Sequence, residues 1–320
     1  MKILVTGGLG FIGSNFIRYM LHKYPKLYIV NLDKQTYASC KSNLKDTSLN
    51  PRYAFIKGDI CDKKIVLCAM RGCSAVLNFA AETHVDRSIN DASVFLRTNI
   101  SGVYVLLEAA RELKVEKFIQ IGTDEVYGSC IRGSFHEDDP LLPNSPYSAS
   151  KASADILIRS YWKTYKFPAV ITRSSNNFGP YQFPEKVIPL FITNLLEGKK
   201  VPLYGDGLNV RDWIYVLDNC RGIDLVLHKG KTGEIYNIGA GNEKNNLELT
   251  ESILKEFGRS REWIKFVKDR PGHDRRYSLD TRKIMAMGFK TQVDFHEALV
   301  LTVNWYKENK SWWKKLKNRS

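Results

Sequence analysis

The sequence predicts an α/β fold built on a doubly wound parallel sheet, followed by a smaller α/β unit. Three observations carry that expectation. A glycine-rich turn separates an opening β-branched run from a stretch of helical period, short buried strand patterns then alternate with helical ones, and Gly179, Pro180, Pro184 and Pro189 break the alternation.

The opening run KILVT, residues 2–6, reads as a buried strand, and Phe11, Ile12, Phe16, Ile17, Met20 and Leu21 recur at helical spacing after it. Between them Gly7, Gly10 and Gly13 form G-x-x-G-x-x-G. Such spacing makes a tight turn, lets backbone approach a pyrophosphate and points free helix N–H groups at it, so a dinucleotide site is expected. YIVNLD, residues 28–33, is a second strand ending in an acid where a ribose 2′-hydroxyl would be gripped. A carboxylate at Asp33 repels a 2′-phosphate, which favours NAD over NADP.

Further strands are expected at 53–60, bringing Asp59 toward an adenine, and at 75–83, 117–122 and 169–173, with a prominent helical pattern over 94–113. Ligands of such sheets sit at the carboxyl ends of the strands. The fifth strand runs directly into Thr123, Asp124 and Glu125, which puts a hydroxyl and two acids on that edge. Tyr147 and Lys151 lie four apart on a helical stretch, so their side chains point the same way, and an ammonium beside a phenol favours the phenolate.

Composition narrows the function classes. Apolar residues at 43% and charged residues at 26% of 320 suit a soluble globular enzyme. Six cysteines without a C-x-x-C pair read as reduced thiols, and no metal site is expected. No apolar run approaches the roughly 18 residues of a membrane span, and glycines interrupt the N-terminal segment where a signal peptide is continuous, so a cytoplasmic protein with no membrane contact is expected. The net charge of +14 raises a nucleic-acid partner. Its distribution argues against one, because the last fourteen residues, KENKSWWKKLKNRS, hold six basic residues against one acid and read as a solvated tail.

Taken together, the glycine turn, NFAAET (78–83), GTDEVYG (122–128), YSASK (147–151), 175–189, 206–216 and 270–277 resemble the extended short-chain dehydrogenase/reductases. Within that Rossmann-fold group the chain resembles the nucleotide-diphosphate-glucose 4,6-dehydratases, which act on dTDP-glucose or UDP-glucose. The acid pair is the specific element: related epimerases lack it, while sugar-nucleotide decarboxylases and GDP-mannose dehydratases keep the Glu and replace the Asp. One departure stands beside it, since the family usually has Ser where this chain has Gly122, and a hydroxyl next to Thr123 is lost.

The resemblance implies an NAD-dependent hydro-lyase of deoxysugar synthesis. Tyr147 takes the glucose 4-hydroxyl proton, Thr123 hydrogen-bonds that oxygen, and hydride leaves C4 for NAD. Glu125 then abstracts the C5 proton, Asp124 protonates the departing 6-hydroxyl, and the hydride returns to C6. Opposite roles require the two acids to have pKa values pushed apart. For the cofactor the resemblance implies Gly7, Gly10, Phe11, Ile12 and Gly13 at the pyrophosphate, Asp33, Asp59 and Ile60 toward the adenosine, and Ala80, Tyr147 and Lys151 further in. For the substrate it implies Thr83, Asn176, Arg211, Asn246, Arg270 and His273, with Arg211 as a diphosphate clamp.

The domains expected are 1–176, binding NAD and carrying the catalytic residues, and 177–320, binding mainly substrate, with room for segments that return to the first. In the second unit the pattern predicts helices at 187–196, 247–257 and 294–306 and strands at 201–204 and 234–238. A homodimer through helices 94–113 and 152–165 is implied by the resemblance. The alternatives are a 4-epimerase or uronate decarboxylase of the same family and a non-enzymatic NAD-binding regulator, which fold alone does not exclude.

Overall fold

The computed structural model describes residues 1–317. Strands β1 (Lys2–Thr6), β2 (Tyr28–Asp33), β3 (Tyr53–Lys57), β4 (Ala75–Asn78), β5 (Lys117–Thr123) and β6 (Ala169–Ser174) belong to one parallel sheet. Three strands that follow, β7 (Asn176–Phe178), β8 (Val201–Tyr204) and β9 (Val210–Tyr215), stand outside it, and β10 (Ile235–Ile238) is its seventh member. The order is β10-β6-β5-β4-β1-β2-β3, so the winding reverses between β1 and β4. A crevice opens at such a reversal, beyond the carboxyl ends of the strands.

Both faces of the inner strands are buried, which is why these read as mainly apolar runs rather than alternating ones, with edge strand β3 partly exposed. On one face Ile3, Val5, Ile29 and Leu77 pack with Phe16, Ile17 and Met20 of α1 (Phe11–Lys23) and, from late in the chain, Ile223 and Val226. On the other, Leu4, Val30, Val76 and Phe118 meet Val66 of α2 (Lys63–Met70) and later Leu106, Leu107 and Ile158. Each such side chain contributes roughly 1.5–3 kcal/mol of burial.

The segment after β4 holds α3 (Val85–Asn90), α4 (Ser93–Leu96), a π turn at Arg97–Ser101 and α5 (Gly102–Glu112). Helix α6 (Pro146–Tyr165) starts at a reciprocal Ser145–Ser148 capping box with Pro146 in its first turn. Then come α7 (Val187–Leu196) and α8 (Val216–Lys229), the latter packed on α1. Strand β11 (Glu243–Asn245) pairs with β9, which pairs with β7; β12 (Ile264–Val267) pairs with β8. Helices α9 (Asn246–Lys255), α11 (Phe295–Glu308) and α12 (Lys310–Lys317) share a second core with Phe191, Trp213 and Leu249, while Ile284 of α10 (Arg282–Ala286) joins the first.

Four expectations change. The third and fourth strands end at Lys57 and Asn78, short of 60 and 83: the single partner of β3 ends at Asp33, and β4 leaves the sheet where β1 ends at Thr6 although β5 runs on to Thr123. The helix over 94–113 is broken by the π turn. Residues 235–238, expected in the second unit, pair with β6 in the main sheet. The solvated tail is instead α12, with Trp313 and Leu316 buried; residues 318–320 lie outside the described ones. Among the described residues no helix is long and apolar enough to cross a membrane.

Candidate active site

The glycine turn is built by contact. Gly7 has φ +68, and a Cβ there would lie 2.6 Å from the Ala80 nitrogen, so only glycine allows the turn to close on the segment after β4. A Cβ on Gly13 would come within 2.6 Å of the Gly7 carbonyl oxygen. Helix α1 begins at Gly10 with no side-chain cap, which leaves its first N–H groups for an anionic ligand. At the end of β2, Asp33 accepts from Leu9 N at 3.0 Å and from Gln35 N at 2.7 Å. Burial pushes its pKa up and these bonds oppose the shift. Asp59 is pulled below its ordinary value, burial being outweighed by the Lys34 ammonium at 2.8 Å and the Cys61 N–H.

A cavity of about 310 Å³ runs along this edge. It is lined by Gly7, Gly10, Phe11, Ile12, Gly13, Asp33, Asp59, Ile60 and Ala80, and further in by Thr83, Thr123, Asp124, Glu125, Tyr147, Lys151 and Asn176. These residues come from seven separate stretches of chain and converge because each follows a strand of one sheet or starts the helix beyond it.

Thr123 ends β5 and caps the 3-10 turn at Asp124–Tyr127, its hydroxyl accepting from Glu125 N at 3.3 Å and donating to Asp124 Oδ1 at 3.2 Å. Asp124 is 2% exposed, and its Oδ2 has no partner. Burial, then the negative Glu125, push its pKa well above the ordinary value, against the opposing Arg211. Glu125 is also raised by burial, but Arg270, Arg211 and Lys186 all pull the other way. The neighbouring acids thus sit in unequal fields. The geometry equips Asp124 to hold a proton and Glu125 to be the more readily ionised of the two.

Tyr147 and Lys151 project from the first turns of α6, both buried. Here an expectation is corrected. The Lys151 ammonium donates to the Ile121 carbonyl at 2.6 Å and makes no hydrogen bond to the phenol. Burial, with Glu125 and Asp124 adding negative charge, raises the Tyr147 pKa, and only the Thr123 hydroxyl opposes. Burial pulls Lys151 down to about 8, against Asp155.

The family model described as GDP-mannose 4,6 dehydratase matches residues 4–302. The chain belongs to that family. It is similar to dTDP-glucose 4,6-dehydratase of Streptomyces niveus, 49% identical over 323 residues that cover 99% of this chain and 96% of that protein. DesIV, a dTDP-glucose 4,6-dehydratase from Streptomyces venezuelae solved with NAD bound, has a TM-score of 0.97 at 50% identity, covering 99% of this chain and 100% of that one. A UDP-glucuronic acid 4-epimerase from Bacillus cereus, in complex with UDP-glucuronic acid and NAD, has a TM-score of 0.91 at 31% identity, covering 96% and 99%.

In this GDP-mannose 4,6 dehydratase family member, four expected substrate residues lie beyond the cavity lining. Arg211 donates to the carbonyls of Val210 and Asp274 at 2.7 and 2.8 Å and stacks over the Tyr277 ring at 4.1 Å. Arg270 pairs with Asp86 at 3.3 Å, and His273 with Asp269 at 2.7 Å. Asn246 opens α9, its N–H donating to the Asn209 carbonyl at 3.0 Å. The two arginines still act on the acids electrostatically.

The structure adds residues that sequence reasoning missed. Asn99, in the π turn, donates to the Glu82 carbonyl at 3.1 Å and to Ser150 Oγ at 2.8 Å, tying the segment after β4 to α6. Regular helical spacing carries no sign of a π turn, although such turns gather at functional sites. Lys186 lines the cavity, donates to the Thr83 carbonyl at 2.8 Å and has its pKa lowered by burial. A lone lysine among the prolines of 180–189 was its only signal. Gly122 is explained by sheet geometry: a Cβ there would lie 2.5 Å from the Thr172 carbonyl oxygen on β6.

Proposed function

We propose that the chain is an NAD-dependent hydro-lyase that converts dTDP-glucose, UDP-glucose or both to the 4-keto-6-deoxy sugar nucleotide. The observation that carries this reading is the pair of adjacent acids at the end of β5, held in unequal fields beside a buried tyrosine and threonine. Epimerisation needs no such pair, whereas elimination needs one group to take a proton and another to give one. The uncapped α1 N-terminus, the Gly7 cradle against Ala80 and the buried Asp33 fit a dinucleotide.

NAD, when bound, accepts the C4 hydride and gives it back at C6. The chain supplies the proton chemistry. Tyr147 removes the 4-hydroxyl proton while Thr123 holds that oxygen; the Thr123 hydroxyl is the group that favours the deprotonated phenol, and the charged Lys151 fixes the helix of Tyr147 against the strand of Thr123. The 4-ketone acidifies C5, Glu125 takes the C5 proton, and Asp124 releases its proton to the 6-hydroxyl as water departs. Burial of Asp124, with the neighbouring Glu125 charge, raises its pKa well above the ordinary carboxylate value and so favours its holding that proton.

Uracil and thymine differ by one methyl, worth about 1–3 kcal/mol in a pocket, so both nucleotides are expected to serve. Exposed Val94, Leu96, Tyr104 and Ile156 give α4–α6 an apolar outer face that a homodimer would cover. A cytoplasmic setting suits the six free cysteines. Incubation with dTDP-glucose, UDP-glucose and UDP-glucuronate, followed by mass spectrometry for loss of water or CO2 and by proton NMR for a change of configuration, tests the reading: loss of one water from either glucose nucleotide supports it. Epimerised product or released CO2 without dehydration overturns it.

A further inference from the structure

Helix α12 reaches beyond the core that holds Trp313. Trp312 Nε1 donates to Asn43 Oδ1 at 2.8 Å, and Asn43 Nδ2 donates to the Leu9 carbonyl at 2.8 Å, inside the glycine turn. Leu9 N in turn donates to Asp33 at 3.0 Å. Asn43 is 1% exposed, so one indole N–H decides which way a buried amide faces, and that amide braces the turn. The ring of Trp312 meets Tyr181 edge-on, centroids 5.9 Å apart. Tyr181 stands at φ 68, a left-handed conformation costly for an aromatic residue and held only by its surroundings. Arg18 closes the ring of contacts, its guanidinium 4.0 Å above Tyr181 and bonded to the Asn43 carbonyl.

The two stretches joined in this way both form walls of the cavity. Thr36 and Ser39 line it ahead of Asn43, and Gln182 and Phe183 line it just after Tyr181. Tyr37, between Thr36 and Ser39, meets Phe183 edge to face, with ring centroids 5.5 Å apart.

We propose that Trp312 is a positioning residue for the dinucleotide, a latch that clamps the two walls and keeps the cofactor bound through turnover. The inference rests on the NAD reading above. Loss of the latch speeds cofactor release without touching any group that handles protons.

The test uses full-length protein loaded with NADH, whose release into excess NAD is followed by fluorescence, alongside the melting temperature. Trp312→Phe keeps the ring and removes the N–H; release is expected to quicken roughly fivefold, the weight of one net hydrogen bond. Asn43→Asp keeps the acceptor for Trp312, removes the donor to Leu9 and is expected to act in the same direction. Trp313→Phe is the control, because it loses an equivalent bond, to the Tyr306 carbonyl at 2.9 Å, within the second core. It is expected to lower the melting temperature and leave release unchanged. Wild-type release from both Trp312→Phe and Asn43→Asp overturns the latch, as does acceleration in all three variants in proportion to lost stability. A wild-type protein that binds neither NAD nor NADH sinks the cofactor reading and the latch with it.

Discussion

The buried Lys151 ammonium donates to the Ile121 carbonyl at 2.6 Å, joining the helix that carries Tyr147 to the strand that ends in Thr123. Behind it, Asp155 is paired with Arg173 at 2.9 Å. Lys151 therefore spans the two elements whose residues meet in the cavity.

The charged form of Lys151 exists below its pKa of about 8, so turnover is expected to decline as pH rises through 8. A Lys151→Met enzyme should lose that alkaline limb and turn over about 10²–10⁴-fold more slowly. A pH–rate profile from 6 to 9.5 reads both effects. A flat wild-type profile between 7 and 9 contradicts the assignment.

Glu125→Gln keeps the size of the side chain and removes the base. Oxidation at C4 should survive while C5 deprotonation stalls, so absorbance at ~340 nm, the NADH band, should build up on the enzyme with substrate present. Tyr147→Phe should suppress that absorbance. In deuterated water the wild-type product should carry solvent label at C5, with the C6 hydride coming from C4. Near-normal product release by Glu125→Gln would show that the acid is a bystander.

Asp124 makes an opposite demand on stability. Its folded pKa is raised above the ordinary 3.8, so the folded chain holds a proton that the unfolded chain releases once pH exceeds that value. Its contribution to stability thus worsens as pH climbs from about 4. Asp124→Asn removes this burden while losing the acid, so it should melt higher than wild type, by a margin that grows from pH 4 toward neutrality, and be nearly inactive. Thermal melts across that range decide the matter; a margin that shrinks with rising pH counts against a proton on Asp124.

Asp33 should set cofactor choice. NAD is expected to bind at least ~10-fold more tightly than NADP, a difference of about 1.4 kcal/mol, because a 2′-phosphate would face a buried carboxylate. Asp33→Ala should narrow the gap, and should also weaken NAD, since Leu9 N and Gln35 N lose their acceptor. Titration of both dinucleotides by tryptophan quenching measures it, and tighter binding of NADP by the wild type would reverse the reading.

The parallel sheet, the glycine turn and the residues at its strand ends were legible in the sequence because their signals are local. Apolar strands buried on both faces show as unbroken runs, a turn that admits no Cβ shows as glycine, and a strand that feeds a site shows polar residues at its carboxyl end. Even the acids of 124 and 125 stand out, since nothing about ending a strand calls for two carboxylates. What they do individually was not legible. Their unequal fields come from Arg211, Arg270 and Lys186, up to 145 positions away in the chain and brought near only by packing of the second unit. Lys151 shows the same limit: spacing put it on Tyr147's side of the helix, but the carbonyl of a neighbouring strand took its ammonium. The C-terminal helix was misread for a related reason. Its lysines signal solvent, whereas Asn43 and Tyr181, contributed from distant parts of the chain, give Trp312 something to hold beyond its own helix pair. Period and composition determine which face of an element is buried; which partner waits there is decided by long-range packing, to which no single stretch of sequence has access.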